Sequence, residues 1–534
     1  MKKRFIFITA RRKELRGGNM KKRRLMLCSI ISLIMVFVMA VPMTVSADTA
    51  KKVAKVGDNE YATLEEAVGA AKNGDTVTLL TATSINANLA ITKNITLNLA
   101  GQTLTANANI QAKGQLNITD TNGGNIVLKK DTTDTTQPSR NDGASIISQG
   151  TSAKVTLDKG TITVDKSLDS GYAFYALEGG TVVVNGGTVD SLDAALSGNN
   201  TTGDMNFEVN GGVLTAQRGP AIYMPGQNNL TITGGTLNGG ISLRMGHVKI
   251  SGGTINATTG SIDSPSEYYS YSGNAWFPDA LYVFGGTYKS AAGNELVLNI
   301  TGGTFNCTNG QGSGIAIYDL GKTNQKMETS ISGRATITTN AANRDAYQVL
   351  SLSDIGVTKP KADFGTHSGD VESDISGGTF SSSPAQYVAE GKVVIKFVRA
   401  NKDGNYYVGT QEEIQEIANT AKDGDTIDVI KGSITLDKIK PGVTVKNDGS
   451  NEKGEVTVNG TTLEPGKDMK IQNPATDPTK PSQDQTQKPS DTAKADKSAK
   501  TGDDFNLFAV GGVALAAIIA MAAVAITGRR HRQR

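Results

Sequence analysis

The sequence carries one short phrase that recurs along most of its length: an alternating apolar segment, a Gly-Gly pair and a second alternating segment. In the stretch 230–256, Gly234-Gly235 and Gly252-Gly253 each stand between apolar residues that alternate with polar ones. Alternation with a period of two predicts a strand that buries one face. The Gly-Gly pair predicts a sharp bend or a close approach of two backbones.

Copies of this phrase follow one another at roughly the length of one short supersecondary unit. The other copies contain Gly186-Gly187, Gly211-Gly212, Gly285-Gly286, Gly302-Gly303 and Gly377-Gly378. A unit this short cannot bury its apolar face alone, so neighbouring units must stack, as in a solenoid. No helical segment separates the phrases, which favours a parallel β-helix over a leucine-rich or ankyrin array. The predicted fold is therefore all-β, with a β-helix domain over 48–399.

Two segments predict short amphipathic helices that cap the solenoid. Thr63-Leu64-Glu65-Glu66 has the pattern of a capping box and precedes an apolar face with helical spacing. The same pattern returns at Thr410-Gln411-Glu412-Glu413, and 421–426 (AKDGDT) repeats 71–76 (AKNGDT). The residues 400–466 are therefore interpreted as a small accessory module that reuses the capping unit. Alternatively, they close the far end of the main solenoid.

The N-terminal residues have the features of a secretory signal peptide. Residues 1–19 are interpreted as an upstream extension, and 20–47 as the signal, with a basic start, an apolar run and small residues at its end. The expected cleavage lies between Ala47 and Asp48. The alternative is an N-terminal membrane anchor.

The C-terminal residues have the features of a surface anchor. Residues 467–500 are polar and rich in Pro, which predicts a disordered linker. In 501–534, the segment 505–527 has no charged residue and is long enough to span a bilayer, and a basic tail follows it. The preceding Ser498-Ala499-Lys500-Thr501-Gly502-Asp503 resembles a Gram-positive sortase sorting signal, with Ala499 where proline is expected.

This resemblance implies that a sortase cuts between Thr501 and Gly502 and joins Thr501 to the peptidoglycan. The expected partners are thus a sortase and the cell wall, together with the membrane through the C-terminal segment. The alternative is a plain membrane anchor at the end of the chain. Either way, the protein is expected to be exported and held at the cell surface.

Charge and cysteine content exclude several other classes. The chain has 54 Lys and Arg, but eleven lie in 1–47 and four in 529–534, which leaves 39 basic residues against 50 acidic ones. An acidic body argues against nucleic acid as a partner. Cys28 lies in the signal segment, so Cys307 is alone in the body. An intrachain disulfide and a cysteine zinc cluster are therefore not expected.

The body resembles the pectin-lyase-like right-handed β-helix regions of surface proteins from Gram-positive gut bacteria. The phrases that carry this resemblance are the Gly-Gly-Thr series and the segments 61–67, 71–76 and 375–381. The resemblance implies a right-handed β-helix. It leaves the function open, because this fold carries lyases, hydrolases and non-enzymatic adhesins.

The catalytic residues of such enzymes are hard to find in this sequence. The Asn-Thr-Asp, Asp-Asp and Gly-His-Gly motifs of the hydrolases are missing from the body. A lyase would need acidic calcium ligands and a basic residue that takes a proton. The candidates for that basic residue are the arginines of the body, which are expected to lie at the surface; they are Arg218, Arg244, Arg334 and Arg344. His247 is expected to face solvent or to stack on a neighbouring side chain. We therefore predict no catalytic residue and no metal or cofactor, with calcium only under the lyase alternative.

One segment is unusually aromatic and lies in a long gap between phrases. The segment 267–277 contains the only Trp of the chain, and its aromatic residues are Tyr268, Tyr269, Tyr271, Trp276 and Phe277. Aromatic rings stack on sugar faces and anchor protein contacts. The segment is thus a candidate glycan or protein contact site. Alternatively, its rings fold back and cover a coil of the solenoid.

These observations favour a surface adhesin over an enzyme, because catalytic motifs are missing. The expected ligands are host or environmental glycans or proteins. Two alternatives stay open: a surface-anchored polysaccharide lyase or hydrolase of the pectin-lyase-like fold, and a passive structural stalk.

Overall fold

The structure, a computed structural model, describes residues 51–131, 143–198, 205–257, 277–284, 295–319, 326–351, 371–400, 402 and 404–473. The chain divides into two compact units, Met1–Asn473 and Pro474–Arg534, and all the described residues lie in the first. The predicted signal peptide, linker and sorting signal, with Ala47, Asp48, Thr501 and Gly502, lie outside them. Within the described ranges, the helices are too short or too polar to cross a membrane.

The described residues are almost entirely β, with two short α-helices and one 3₁₀ turn at Ala385–Tyr387. The helices are α1 (Leu64–Ala70) and α2 (Gln411–Asn419). The strands are β1 (Ala54–Val56), β2 (Asn59–Tyr61), β3 (Thr76–Leu79), β4 (Thr83–Ile85), β5 (Leu89–Ile91), β6 (Ile95–Asn98), β7 (Thr103–Ala106), β8 (Ile110–Ala112), β9 (Gln115–Thr119), β10 (Asn125–Leu128), β11 (Ile146–Gln149), β12 (Lys154–Leu157), β13 (Thr161–Val164), β14 (Tyr172–Leu177), β15 (Thr181–Val184), β16 (Thr188–Ser191), β17 (Ala194–Gly198), β18 (Asn206–Val209), β19 (Val213–Ala216), β20 (Ile222–Ile232), β21 (Thr236–Gly239), β22 (Ile241–Ile250), β23 (Thr254–Ala257), β24 (Leu281–Phe284), β25 (Glu295–Ile300), β26 (Thr304–Cys307), β27 (Ile315–Asp319), β28 (Lys326–Ile331), β29 (Thr336–Thr339), β30 (Tyr347–Ser351), β31 (Glu372–Ile375), β32 (Gly378–Phe380), β33 (Val393–Val398), β34 (Asn405–Gly409), β35 (Thr426–Lys431), β36 (Ile434–Leu436), β37 (Thr444–Asn447), β38 (Val456–Val458), β39 (Thr461–Leu463) and β40 (Asp468–Lys470).

The strands from β3 to β32 form three parallel rows, and one passage of the chain through the rows is one coil. Row 1 contains β5, β8, β11, β14, β17, the first parts of β20 and β22, β24, β27 and β30. Row 2 contains β3, β6, β9, β12, β15, β18, the second parts of β20 and β22, β25, β28 and β31. Row 3 contains β4, β7, β10, β13, β16, β19, β21, β23, β26, β29 and β32. The predicted all-β solenoid of stacked parallel strands is therefore confirmed.

The Gly-Gly pairs form the turn from row 2 to row 3, and each glycine of a pair has its own physical reason. A Cβ on Gly252 would lie 2.2 Å from the carbonyl oxygen of Thr233 in the coil before it, so this position requires a close approach. Gly253 has φ +86°, a conformation that side chains other than glycine rarely adopt. The sequence prediction of a bend and a close approach is confirmed at this turn.

The solenoid is held together by stacks of apolar side chains inside and by polar ladders outside. In row 3, the inward residues of successive coils are all buried: Leu214, Leu237, Ile255, Phe305 and Ile337. On the outer face of the same row, amide groups bond from coil to coil. Asn256 Nδ2 donates to Asn238 Oδ1 at 2.9 Å, and Asn306 Nδ2 donates to Asn256 Oδ1 at 3.1 Å.

One predicted copy of the phrase belongs to a different row. The alternating residues before Gly285-Gly286 form β24, which pairs with the first part of β22 and with β27 and thus lies in row 1. The true continuation of row 2 is β25 and then β28. The turn after β28 has the single glycine Gly333, with φ +63°, and is not among the predicted Gly-Gly copies. Periodicity marks a half-buried strand in any row, so it cannot tell the rows apart.

Both predicted helices are present, each with a complete capping box. The Thr63 side chain accepts from Glu66 N at 3.1 Å, and the Thr410 side chain accepts from Glu413 N at 3.3 Å. The hairpin β33–β34 precedes α2, as β1–β2 precedes α1. Most buried apolar residues from Val393 to Leu463 form a hydrophobic cluster of their own, whereas Val394 and Val408 belong to the core of the solenoid. Strand β34 also pairs antiparallel with β32, so this module covers the last strand of row 3.

Candidate functional site

The insertions of the solenoid all adjoin row 1. The four longest connections between consecutive strands from β3 to β32 each have a row 1 strand at one end; they are 129–145, 258–280, 285–294 and 352–371. The Gly-Gly turns between rows 2 and 3 have no such insertion. Because β-solenoids carry their variable loops around a functional surface, the outer face of row 1 is the candidate site.

The outer face of row 1 is a column of side chains, one from each coil, most of which are polar or aromatic. In order along the solenoid, this column contains Ala90, Gln111, Ile147, Tyr175, Ser197, Tyr223, Ser242, Tyr282, Ala316 and Gln348. Ile147 and Tyr175 are half-buried, whereas the members from Ser197 to Gln348 are buried. Tyr172 lies beside this column, with its ring centroid 5.8 Å from that of Tyr175. The accessible aromatic surface of the row 1 face is thus at Tyr175.

Arg244 lies on this face and is buried, which makes the expectation of a surface arginine wrong at this position. Only 4% of its surface is exposed. Burial lowers the pKa of its guanidinium, and the phenol groups of Tyr223 and Tyr282 partly offset this effect. The reason for the burial is that neighbouring coils place large side chains around it, and those neighbours are distant in sequence.

The segment from Phe277 to Asp279 packs over the same face. The Phe277 ring stacks on the Tyr318 ring at 4.1 Å and meets the Tyr282 ring edge-on at 5.1 Å. Asp279 accepts hydrogen bonds from Ser313 N and from Tyr318 Oη, both at 2.6 Å. The Pro278 carbonyl oxygen accepts from Asn309 Nδ2 at 2.6 Å. The end of the aromatic segment 267–277 is therefore tied to the row 1 face.

The electrostatics of this anchor follow from its burial. Asp279 is fully buried, and burial raises the pKa of its carboxyl to about 6, against the hydrogen bonds from Ser313 and Tyr318. Burial also raises the pKa of the Cys307 thiol to about 11. Cys307 is a buried free cysteine.

The predicted aromatic site lies mostly outside the described residues. Tyr268, Tyr269, Tyr271 and Trp276 are outside them, so their role in binding stays a prediction. Phe277 is described and is 4% exposed, so its ring covers the coil beneath it, as in the alternative interpretation. Trp276 directly precedes Phe277 in the chain.

The other candidates are scattered. His247 faces solvent in row 2, as predicted, and its Nε2 lies 2.8 Å from Glu295 Oε1. Arg218 pairs with Asp193 at 3.5 Å, and Arg334 is exposed. Asp193 has a raised pKa because it is partly desolvated. In the part of the chain that the structure describes, no group of three or more His, Cys, Asp or Glu residues could hold a metal ion.

Strand alternation alone does not distinguish row 1 from the other rows, although row 1 has a sequence signal of its own. In several of its strands from β14 onward, a buried alanine directly precedes the first inward residue; these alanines are Ala173, Ala195, Ala221 and Ala280. The residue after this first inward residue points outward. Tyr175, Tyr223 and Tyr282 occupy this outward position.

No family model, no curated protein and no solved structure matches this chain.

Proposed function

We propose that this protein is a non-enzymatic adhesin of the cell surface, which binds glycans or proteins through the row 1 face. The observation that supports this proposal is the coincidence of all the insertions with one row whose outer face is rich in tyrosine. Tyr combines a large apolar ring with a hydroxyl and loses little conformational entropy on contact, so it is a common anchor residue. Tyr175 is the contact residue that this face offers to a ligand.

The proposal includes the details that come from sequence resemblance. The coil is right-handed, as in pectin-lyase-like proteins. The signal peptide 20–47 directs export, and a sortase joins Thr501 to the peptidoglycan after cutting before Gly502. The polar residues 467–500 then extend between the cell wall and the solenoid.

The test is binding of the purified residues 48–500 to arrays of glycans and mucins, with Tyr175→Ser and Trp276→Ala as variants. The proposal predicts binding that falls at least tenfold in Tyr175→Ser and leaves the ligand chemically intact. Loss in Trp276→Ala would add the aromatic segment to the site. If no array component binds, the passive stalk becomes the better account.

A second candidate function is a polysaccharide lyase, and one observation favours it. Arg244 is a buried arginine between tyrosines, with a lowered guanidinium pKa. Only a deprotonated guanidinium can accept a proton, and a lowered pKa makes that form more accessible. The test is incubation with uronic polymers in the presence of calcium. Unsaturated products that disappear in Arg244→Gln would replace the adhesin proposal with this one.

A further inference from the structure

The two capping units are copies of one arrangement, so their differences can be compared position by position. Each has a hairpin, a helix with a capping box, and a turn into a parallel strand. In each, a lysine from the following coil donates to a carbonyl oxygen near the end of the helix. Lys93 Nζ donates to Gly69 O at 2.8 Å, and Lys440 Nζ donates to Asn419 O at 3.0 Å. Lys93 and Lys440 are therefore matching positions, and the residues that precede them can be compared between the two copies.

In the C-terminal copy, one side chain ties the helix to the backbone beside it. Gln415 Nε2 donates to Asp437 O at 3.0 Å, and Gln415 Oε1 accepts from Asp437 N at 2.8 Å. A residue in a neighbouring antiparallel strand would exchange the same two bonds. The Gln415 carboxamide therefore takes the place of a strand partner.

In the N-terminal copy, this side chain is missing. Val68 follows its N-cap Thr63 by five positions, as Gln415 follows Thr410, and Ala90 precedes Lys93 by three, as Asp437 precedes Lys440. Valine cannot form the two bonds. Instead, a groove of about 340 Å³ lies between α1 and β5. Its lining is apolar at Val68, Leu89, Ile91 and Ile95, with Glu65 and Lys93 also on it.

The backbone of Ala90 faces this groove. Leu89 N donates to Asn109 O at 2.9 Å, and Ile91 O accepts from Lys113 N at 2.8 Å, both toward the next coil. Successive residues of a strand direct their N–H and C=O groups to opposite edges. Ala90 is exposed, and within the described ranges β5 pairs only with β8. Ala90 thus presents one donor and one acceptor at an open strand edge.

We propose that this groove binds an extended polypeptide segment, which adds as a strand to the β5 edge. One residue of the bound segment exchanges with Ala90 the two hydrogen bonds that Gln415 exchanges with Asp437. Its apolar side chain enters the groove against Val68 and Ile91. Strand addition of this kind takes its affinity from backbone bonds and its selectivity from pockets for alternate side chains. This second site is at the first strand of row 1, three coils before Tyr175.

The test is hydrogen exchange of the Ala90 amide, measured by mass spectrometry on the full chain. The probe is an acetylated and amidated pentapeptide of alternating Val and Thr, at millimolar concentration. A second version carries an N-methyl group on its central residue and lacks that donor. We expect the first peptide to slow Ala90 exchange at least fivefold, and the methylated peptide to have no effect.

Substitutions at the matched positions make the test specific. Val68→Gln recreates the C-terminal arrangement, so Ala90 exchange should slow without any peptide, and added peptide should change it no further. Val68→Leu keeps the groove apolar and should still respond to the peptide. Gln415→Val should open the equivalent groove, so that Asp437 exchange speeds up and becomes sensitive to the peptide.

Several outcomes would overturn the proposal. Equal protection by the methylated peptide, unchanged Ala90 exchange in Val68→Gln, or no effect of the peptide at all would each do so. Protection by N-acetylglucosamine and not by the peptide would also overturn it and assign the groove to acetamido sugars.

Discussion

At the scale of single residues, the row 2 to row 3 turn depends on glycine for two separate reasons. Gly253→Ala should destabilise the protein by about 1–2 kcal/mol, because alanine at φ +86° is strained. Its Cβ would also lie 2.9 Å from the Gly234 carbonyl oxygen. The measurement is the free energy of unfolding from a denaturant titration.

The matched control for this substitution is Gly69→Ala in α1. A Cβ at Gly69 has no atom within 4 Å, and its φ needs no glycine. Alanine there should stabilise the protein by up to about 1 kcal/mol, since glycine is unfavourable within a helix. Equal effects at both positions would contradict the account of the turn.

We predict that the burial of Asp279 at the row 1 face makes the free energy of unfolding depend on pH. Its folded pKa of about 6 lies above the usual value of a carboxyl, because burial disfavours the charge. The stability that it contributes is thus fully present below about pH 4 and is lost as the pH rises through 6. Relative to Asp279→Asn, the wild type should lose about 2–3 kcal/mol of unfolding free energy between pH 4 and pH 7. A constant difference across this range would show that Asp279 is not buried in this way.

At the scale of elements, the capping box of α2 predicts a local effect. Thr410→Ala removes the acceptor for Glu413 N, which lies 3.3 Å away. The expected cost is about 1 kcal/mol. Glu416→Ala changes an exposed residue of the same helix and should have little effect. Hydrogen exchange of the α2 amides distinguishes the two, because only the first variant should speed exchange across the first turn.

Elements with local signals could be predicted from the sequence. The capping boxes at Thr63 and Thr410 depend on residues three positions apart, so both helices were found. The Gly-Gly turns could be predicted because the bend of the chain and the close approach of neighbouring coils both require glycine. Row 1 was not separated from row 2, because its strands have the same alternation. For this reason the strand before Gly285-Gly286 was wrongly predicted to belong to the same row as the other copies.

At the scale of the whole molecule, the site depends on contacts between coils that no local pattern reports. Arg244 is buried by residues from neighbouring coils, and Phe277 packs on Tyr318, forty-one positions later. The aromatic segment was found as a composition anomaly, but its attachment to the row 1 face was not. The sequence could therefore predict the solenoid, and it could not predict which of the three faces carries the site.

The central claim is that the row 1 face binds the ligand while the row 3 face is structural. The most direct measurement is the dissociation constant of the strongest array ligand for the wild type, Tyr175→Ser and Val213→Ser. Val213 lies on the outer face of row 3 and is 38% exposed, so it is a matched surface control. We predict that Tyr175→Ser weakens binding at least tenfold and that Val213→Ser changes it less than twofold. The reverse order would contradict the assignment of the functional face.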